Sequence, residues 1–153
     1  MIYIAHRGNI TGKTKHENAP GYVSDAISLG FYSEIDVWMR RGKPYLGHDA
    51  PTYKTSDSFW SKNWVHLWCH AKDLEALAWL ESQGFHHFWH NEDVVTITSR
   101  GCWWYYPSKE VRERGINVLP EENRLSAAKV RGCEGICSDV VAMYKDLLEK
   151  PIG

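Results

Sequence analysis

The chain has 153 residues, 43% hydrophobic and 24% charged, the size and balance of one globular domain with a single core. A net charge of −1 and a pI near 6.7 argue against a nucleic-acid or membrane surface. No apolar run approaches the ~20 residues of a membrane span, and the opening Met-Ile-Tyr-Ile-Ala-His is too short and uncharged for a secretory signal, so a soluble, cytoplasmic protein is expected.

Residues 2–6 are short and apolar and predict a buried strand ending in the polar tip His6-Arg7-Gly8. Residues 9–16 are loop-like. From Asn18 a helix begins with Pro20 in its first turn, where a missing N–H costs little, and Gly30 stops it. Residues 32–39 predict a second strand, Arg41-Gly42-Lys43 a turn, and residues 44–47 a short returning strand that delivers His48 and Asp49. Residues 50–63 are polar and without period, which predicts a loop. Residues 64–71 alternate, with Val65, Leu67, Cys69 and Ala71 on one face and Trp64, His66, Trp68, His70 and then Lys72 on the other. Residues 73–83 predict an amphipathic helix closed by Gly84. Strand-like segments follow at 85–90, 94–98 and 102–106, then a strand at 116–119, a helix at 125–130, a strand at 135–137 and a helix at 140–149.

Alternating strands and helices predict an α/β fold, a single domain built as a reduced (β/α) TIM-like barrel. The chain is far shorter than the ~250 residues of a complete barrel of that kind. Only Asn91-Glu92-Asp93 separates two strand segments, whereas parallel neighbours need a crossover of about a dozen residues. An antiparallel hairpin is expected there, as part of a β-hairpin meander that replaces one or more helices.

Cys69, Cys102, Cys133 and Cys137 lack zinc-knuckle spacing and read as reduced thiols. Eight tryptophans and eight histidines are the unusual counts. Excess tryptophan serves as a ligand platform or, more often in a small chain, as core filler.

Four polar clusters follow one another: His6-Arg7-Gly8, Glu17-Asn18, Glu34-Ile35-Asp36 and His48-Asp49. Taken singly they read as a solvated turn, a helix cap or the wet face of an edge strand. Together they point elsewhere. Glu34 and Asp36 stand two apart on a strand, so both carboxylates share one face while Ile35 and Val37 meet helices. Two like charges held together call for a counter-charge, which a divalent cation supplies. His6 and His48 each follow a strand, where an acid/base pair acts near neutral pH.

The ordered set Ile-Ala-His-Arg-Gly, Glu-Asn before a helix, Glu-x-Asp-Val and Gly-His-Asp resembles the N-terminal signature of the glycerophosphodiester phosphodiesterase family, one of the phosphatidylinositol-phospholipase-C-like TIM-barrel phosphodiesterases. The match covers residues 2–49; His70-x-Lys72 and the run Gly135 to Asp139 fit later strands more loosely. The resemblance implies His6 and His48 as acid/base catalysts, Arg7 and Lys72 as phosphate contacts, and Glu34 and Asp36 as ligands of a divalent metal cation (Mg, Ca or Mn). His70 stands where the family has a third carboxylate, either as a third metal ligand or as a residue that merely hydrogen-bonds a neighbour. The implied substrate is a small-molecule phosphodiester, cleaved by hydrolysis or, in a lyase, only to a cyclic phosphate. Trp38, Trp68 and Trp89 then shape the alcohol side or fill the core. The other class of reading is a non-catalytic phosphate- or polyol-binding module.

Overall fold

The computed structural model describes residues 1–108 and 110–150. Strand β1 (Ile2–His6) starts the fold, and the chain turns sharply after it because Arg7 takes a left-handed φ of 52°. Helix α1 (Pro20–Ser28) opens on Pro20 itself, two residues later than expected, and Gly30, with φ of 86°, ends the excursion into β2 (Tyr32–Arg40). Arg41 and Gly42 both have positive φ, the signature of a tight hairpin turn, and join β2 to β3 (Lys43–Leu46).

The segment expected to be a loop at 50–63 contains β4 (Tyr53–Lys54) and helix α2 (Asp57–Asn63), whose N-cap Ser56 accepts from the Phe59 N–H. A 3-10 turn at Trp64–His66 takes the first part of the alternating run, so the strand there, β5 (Leu67–Ala71), starts late and Val65 lies exposed. Helix α3 (Leu74–Ser82) is capped by Asp73, which accepts from the Ala76 N–H at 2.7 Å. Three short strands follow, β6 (His87–Phe88), β7 (Val95–Ile97) and β8 (Trp103–Tyr105), then β9 (Ile116–Val118). The chain ends in the one-turn helix α4 (Ala127–Val130), β10 (Gly135–Ser138) and α5 (Val141–Glu149).

Parallel pairing runs β6-β5-β2-β1-β10-β9-β8, and β7 joins the end of the row antiparallel to β8. The outer half of β2 carries the antiparallel strands β3 and β4 as a flap. The reduced (β/α) TIM-like barrel expected from sequence is therefore corrected. The molecule is a mixed, ten-stranded sheet curled into a half-barrel, with eight strands on its continuous path and short helices against it. No ladder joins β6 to β7 among the described residues, and no helix lies between β6 and β9. The cause is chain length: the connections around β7 are too short for a crossover helix. The antiparallel pair also forms one join later than Asn91-Glu92-Asp93, between β7 and β8. The join expected to be a hairpin is bridged instead by isolated bonds such as Ser99 N–H to the His87 carbonyl at 2.8 Å.

Alternation along the strands divides the apolar residues. Ile35, Val37 and Cys69 pack outward on Val23, Ala76 and Leu80, while Ile4, Trp68, Phe88, Trp104, Ile116 and Cys137 fill the concave side. Truncating a fully buried residue such as Ile35 to alanine would cost about 2–5 kcal/mol. All four cysteines are free thiols. Trp60, Trp68 and Trp104 are core residues, whereas Trp64 and Trp89 are exposed.

Candidate active site

Strand register assembles the centre of the site. His6 lies beside Glu34 across β1–β2, and Asp36 lies beside His70 across β2–β5. Because Ile35 and Val37 face the helices, Glu34 and Asp36 project into the concave side, where they are 3% and 1% exposed. His6, Arg7, Glu34, Asp36, His48, His70 and Lys72 all line one cleft of about 420 Å³. The opposite wall is formed by His90, Trp104, Tyr105, Tyr106 and Leu119, with Glu92 and Glu122 at its rim. Of the three tryptophans considered for the alcohol side, none lines this cleft; Trp104 does.

Asp36 is the hub. Its Oδ2 accepts from Asn18 Nδ2 at 2.9 Å and from His48 Nδ1 at 3.2 Å, and faces Arg7 Nε at 3.1 Å. Its Oδ1 faces His70 Nδ1 at 3.2 Å and Lys72 Nζ at 3.6 Å. Burial alone would raise this carboxyl, but the hydrogen bond from His48 and the Arg7 charge outweigh it and hold Asp36 well below the usual carboxylate range. Glu34 has less support. Its Oε2 accepts the Arg7 N–H at 3.2 Å, and burial, followed by the Asp36 charge, pushes its pKa up.

The tautomers follow from the partners. His48 Nδ1 donates to Asp36, so its Nε2, which receives Arg7 Nη2 at 3.3 Å, carries a lone pair. His70 Nε2 donates to the His90 carbonyl at 2.8 Å, and the ring stacks on Phe88 at 5.1 Å. In the neutral ring the His70 Nδ1 lone pair is then aimed at Asp36 Oδ1, with Glu34 Oε1 4.0 Å away. Lone pairs of two carboxylates and an imidazole converging in this way repel one another, a repulsion that Arg7 and Lys72 offset in part from the Asp36 side.

A divalent metal fits that donor set. One ligand atom from each of Glu34, Asp36 and His70 lies within 4.8 Å of the other two. Two hard carboxylate oxygens with one nitrogen suit Mn or Zn as well as Mg or Ca.

Glu17 and Asn18 do not cap α1, whose N-cap is Ala19 without a side-chain bond. Asn18 instead brackets Asp36, donating from Nδ2 to Oδ2 and accepting the Asp36 N–H at 2.9 Å. Glu17 accepts from Arg7 Nη1 at 3.2 Å and from Asn9 Nδ2 at 2.8 Å. Asp49 points into solvent, its side chain 97% exposed.

Asp139 is the residue the sequence did not mark as functional. It follows β10 as His6 closes the neighbouring β1, and its Oδ1 accepts from His6 Nδ1 at 2.7 Å and from Asn9 Nδ2 at 2.8 Å. The Asp139 N–H is in turn held by Glu121 Oε1 at 2.7 Å. Burial lowers the His6 pKa, but the hydrogen bond to Asp139 and the Glu34 charge more than restore it, and the net direction is upward. The available signal was the Ser-Asp pair closing a strand that ends level with His-Arg.

No protein-family model matches the chain, and neither the curated proteins nor the solved structures contain a match to it. Among the described residues no helix is long and apolar enough to cross a membrane.

Proposed function

We propose that the cleft cleaves a small phosphodiester with the help of a divalent cation, in the manner of the glycerophosphodiester phosphodiesterases that residues 2–49 resemble. The observation that carries the reading is the convergence of Glu34, Asp36 and His70 in the same cleft as two histidines and two fixed cations. Glu34, Asp36 and His70 would hold the metal. Bound there, it would supply Lewis-acid charge to a phosphate oxygen.

The chain's own groups do the rest. Arg7 and Lys72 offer donors to the remaining phosphate oxygens and take up the charge that develops on them. His48, its side chain 42% exposed, holds its Nε2 lone pair against Arg7 Nη2, and with Arg7 turned to a phosphate oxygen that lone pair is suited to accept a proton from an attacking hydroxyl. His6 is buried and kept basic by Asp139, suited to hold a proton for the leaving alkoxide. If the attacker is a hydroxyl of the substrate itself, the first product is a cyclic phosphate.

One observation favours a second reading, an anion-binding module without turnover. The Asp36 charge is already met by Arg7, Lys72 and the His48 N–H of this chain, and Arg7 is tied to Glu17. A screen of phosphodiesters with Mg, Ca, Mn and Zn, followed by phosphorus NMR, separates the readings. Metal-dependent release of a monoester or a cyclic phosphate supports the enzyme. Phosphate binding with no turnover of any diester supports the module. Titrating metal into wild type and His70→Ala between about pH 5.5 and 8 tests the third ligand, since a protonated imidazole cannot coordinate. Equal affinities and pH profiles would leave His70 a structural residue.

A further inference from the structure

The β7–β8 pair has no helix over its outer side among the described residues. Its ladder sets Val95 opposite Tyr105 and Ile97 opposite Trp103, so these four side chains share one face. Trp104, between the two aromatic residues, points the other way into the concave core. Ile97 is 63% exposed and Val95 37%. A contiguous apolar sheet face of this kind marks a docking surface rather than scattered surface hydrophobics.

At the Tyr105 end Arg112 stands over the ring and is paired with Glu110, so the two cancel, and the charges left at the two ends differ in sign. Glu92 and Asp93, both exposed, precede β7 at the end next to the cleft. Arg100 occupies the β7–β8 turn at the opposite end, and Arg114 reaches the same end with its guanidinium 4.8 Å from the Trp103 ring centre. None of these four charges has an ion-pair partner among the described residues. A flat anionic bilayer would attract one end of this face and repel the other. A second copy, turned about a twofold axis that lies in the contact plane and crosses the strands, places acid on base at both ends.

We propose that this face is a homodimer interface, with β7–β8 of one copy packed on β7–β8 of the other and Glu92 and Asp93 of each facing Arg100 and Arg114 of its partner. The contact is isologous: Ile97 and Trp103 of each copy meet Val95 and Tyr105 of the other, and the charges flank the two rows. Glu92 and Tyr105 also line the cleft, so the contact borders it.

Sedimentation velocity and light scattering over a concentration series at low salt test it, with circular dichroism to show that each variant is folded. Wild type should shift from the mass of one chain to that of two. Ile97→Lys, Asp93→Arg and Arg100→Glu should each weaken association by about tenfold or more, since each introduces its change twice across the twofold. Reversing all four charges together, Glu92→Arg and Asp93→Arg with Arg100→Glu and Arg114→Glu, restores opposite charges at both ends and should recover the dimer. A wild type that stays monomeric, an Ile97→Lys variant that associates normally, or a charge swap that fails to recover would overturn the proposal. Co-sedimentation of monomeric wild type with phosphatidylserine vesicles, lost in Ile97→Lys, would overturn it in favour of a membrane surface.

Discussion

Replacing Glu34 by glutamine keeps the size of a buried side chain and removes its charge. In the metal-free protein that carboxylate has one hydrogen-bond donor, the Arg7 N–H, and burial together with Asp36 raises its pKa. A carboxyl whose pKa is raised by folding stabilises the fold while protonated, and that contribution is lost as pH rises through the raised value. At neutral pH in chelator, Glu34→Gln should therefore melt at or above wild type, and its advantage should shrink toward the unfolded carboxyl pKa of about 4.3. Added metal reverses the order. A cation at a hundred times its Kd stabilises the binding-competent protein by ~2.7 kcal/mol, or roughly 5–10 °C in melting temperature for a domain of this size. The variant keeps two of the three converging donors and should lose most of that rise, along with phosphodiester turnover. Thermal melts in chelator, Mg, Ca, Mn and Zn read both effects. A variant that melts far below wild type in chelator, or that keeps the full metal-induced rise, would refute the reasoning.

Asp139→Asn should lower kcat by about 10²–10⁴-fold with KM little changed, because the His6 ring loses the acceptor that fixes its tautomer; steady-state kinetics with an unchanged kcat would count against a positioning role. Gly47 precedes His48 with φ of 151°, and a Cβ there would stand 2.1 Å from the Ala50 carbonyl oxygen. Gly47→Ala should thus lose roughly 1–3 kcal/mol in urea unfolding and also depress turnover by moving His48; full activity would show that the turn does not place the histidine. His86 is buried, shares a hydrogen bond with Thr98, and has a pKa lowered to about 4 by burial and then by Arg100. Its depressed pKa means that stability is present above the unfolded value near 6.5 and is lost as pH falls toward 4, by at most ~3 kcal/mol. His86→Gln should flatten that part of the profile, and parallel urea midpoints for the two proteins between about pH 4 and 7 would remove His86 as the cause.

The first third of the chain was legible because its signals are local. Period-two alternation around Glu34 and Asp36 set their common face, and the positions of His6 and His48 after strands brought both to the same cleft. The β2–β3 turn was equally readable, since Arg41-Gly42 takes the two left-handed conformations such a hairpin needs. Residues 50–63 were misread because α2 is short and is stabilised by packing: Trp60 stacks on Phe85 at 5.2 Å and meets Trp79 edge-on at 4.9 Å, contacts that no local period announces. The barrel failed to appear as expected for a related reason. Strand order there depends on which edges find partners across the sheet, and strands of two or three residues carry too little pattern to say. Asp139 escaped because its partner lies 133 residues away in sequence and is brought near only by the β1–β10 pairing.

That same span has a consequence for the order in which the protein is made. A chain leaving the ribosome exposes Glu34, Asp36, His70 and Lys72, and with them β1, β2 and β5, before β9 and β10 have emerged to pair. The half of the cleft that carries these four side chains is thus an early product of synthesis. His6, by contrast, waits for Asp139, which follows the last strand, β10. Translation therefore delivers the His6–Asp139 pair last, and a nascent or C-terminally truncated chain carries Glu34, Asp36 and His70 without the carboxylate that orients His6.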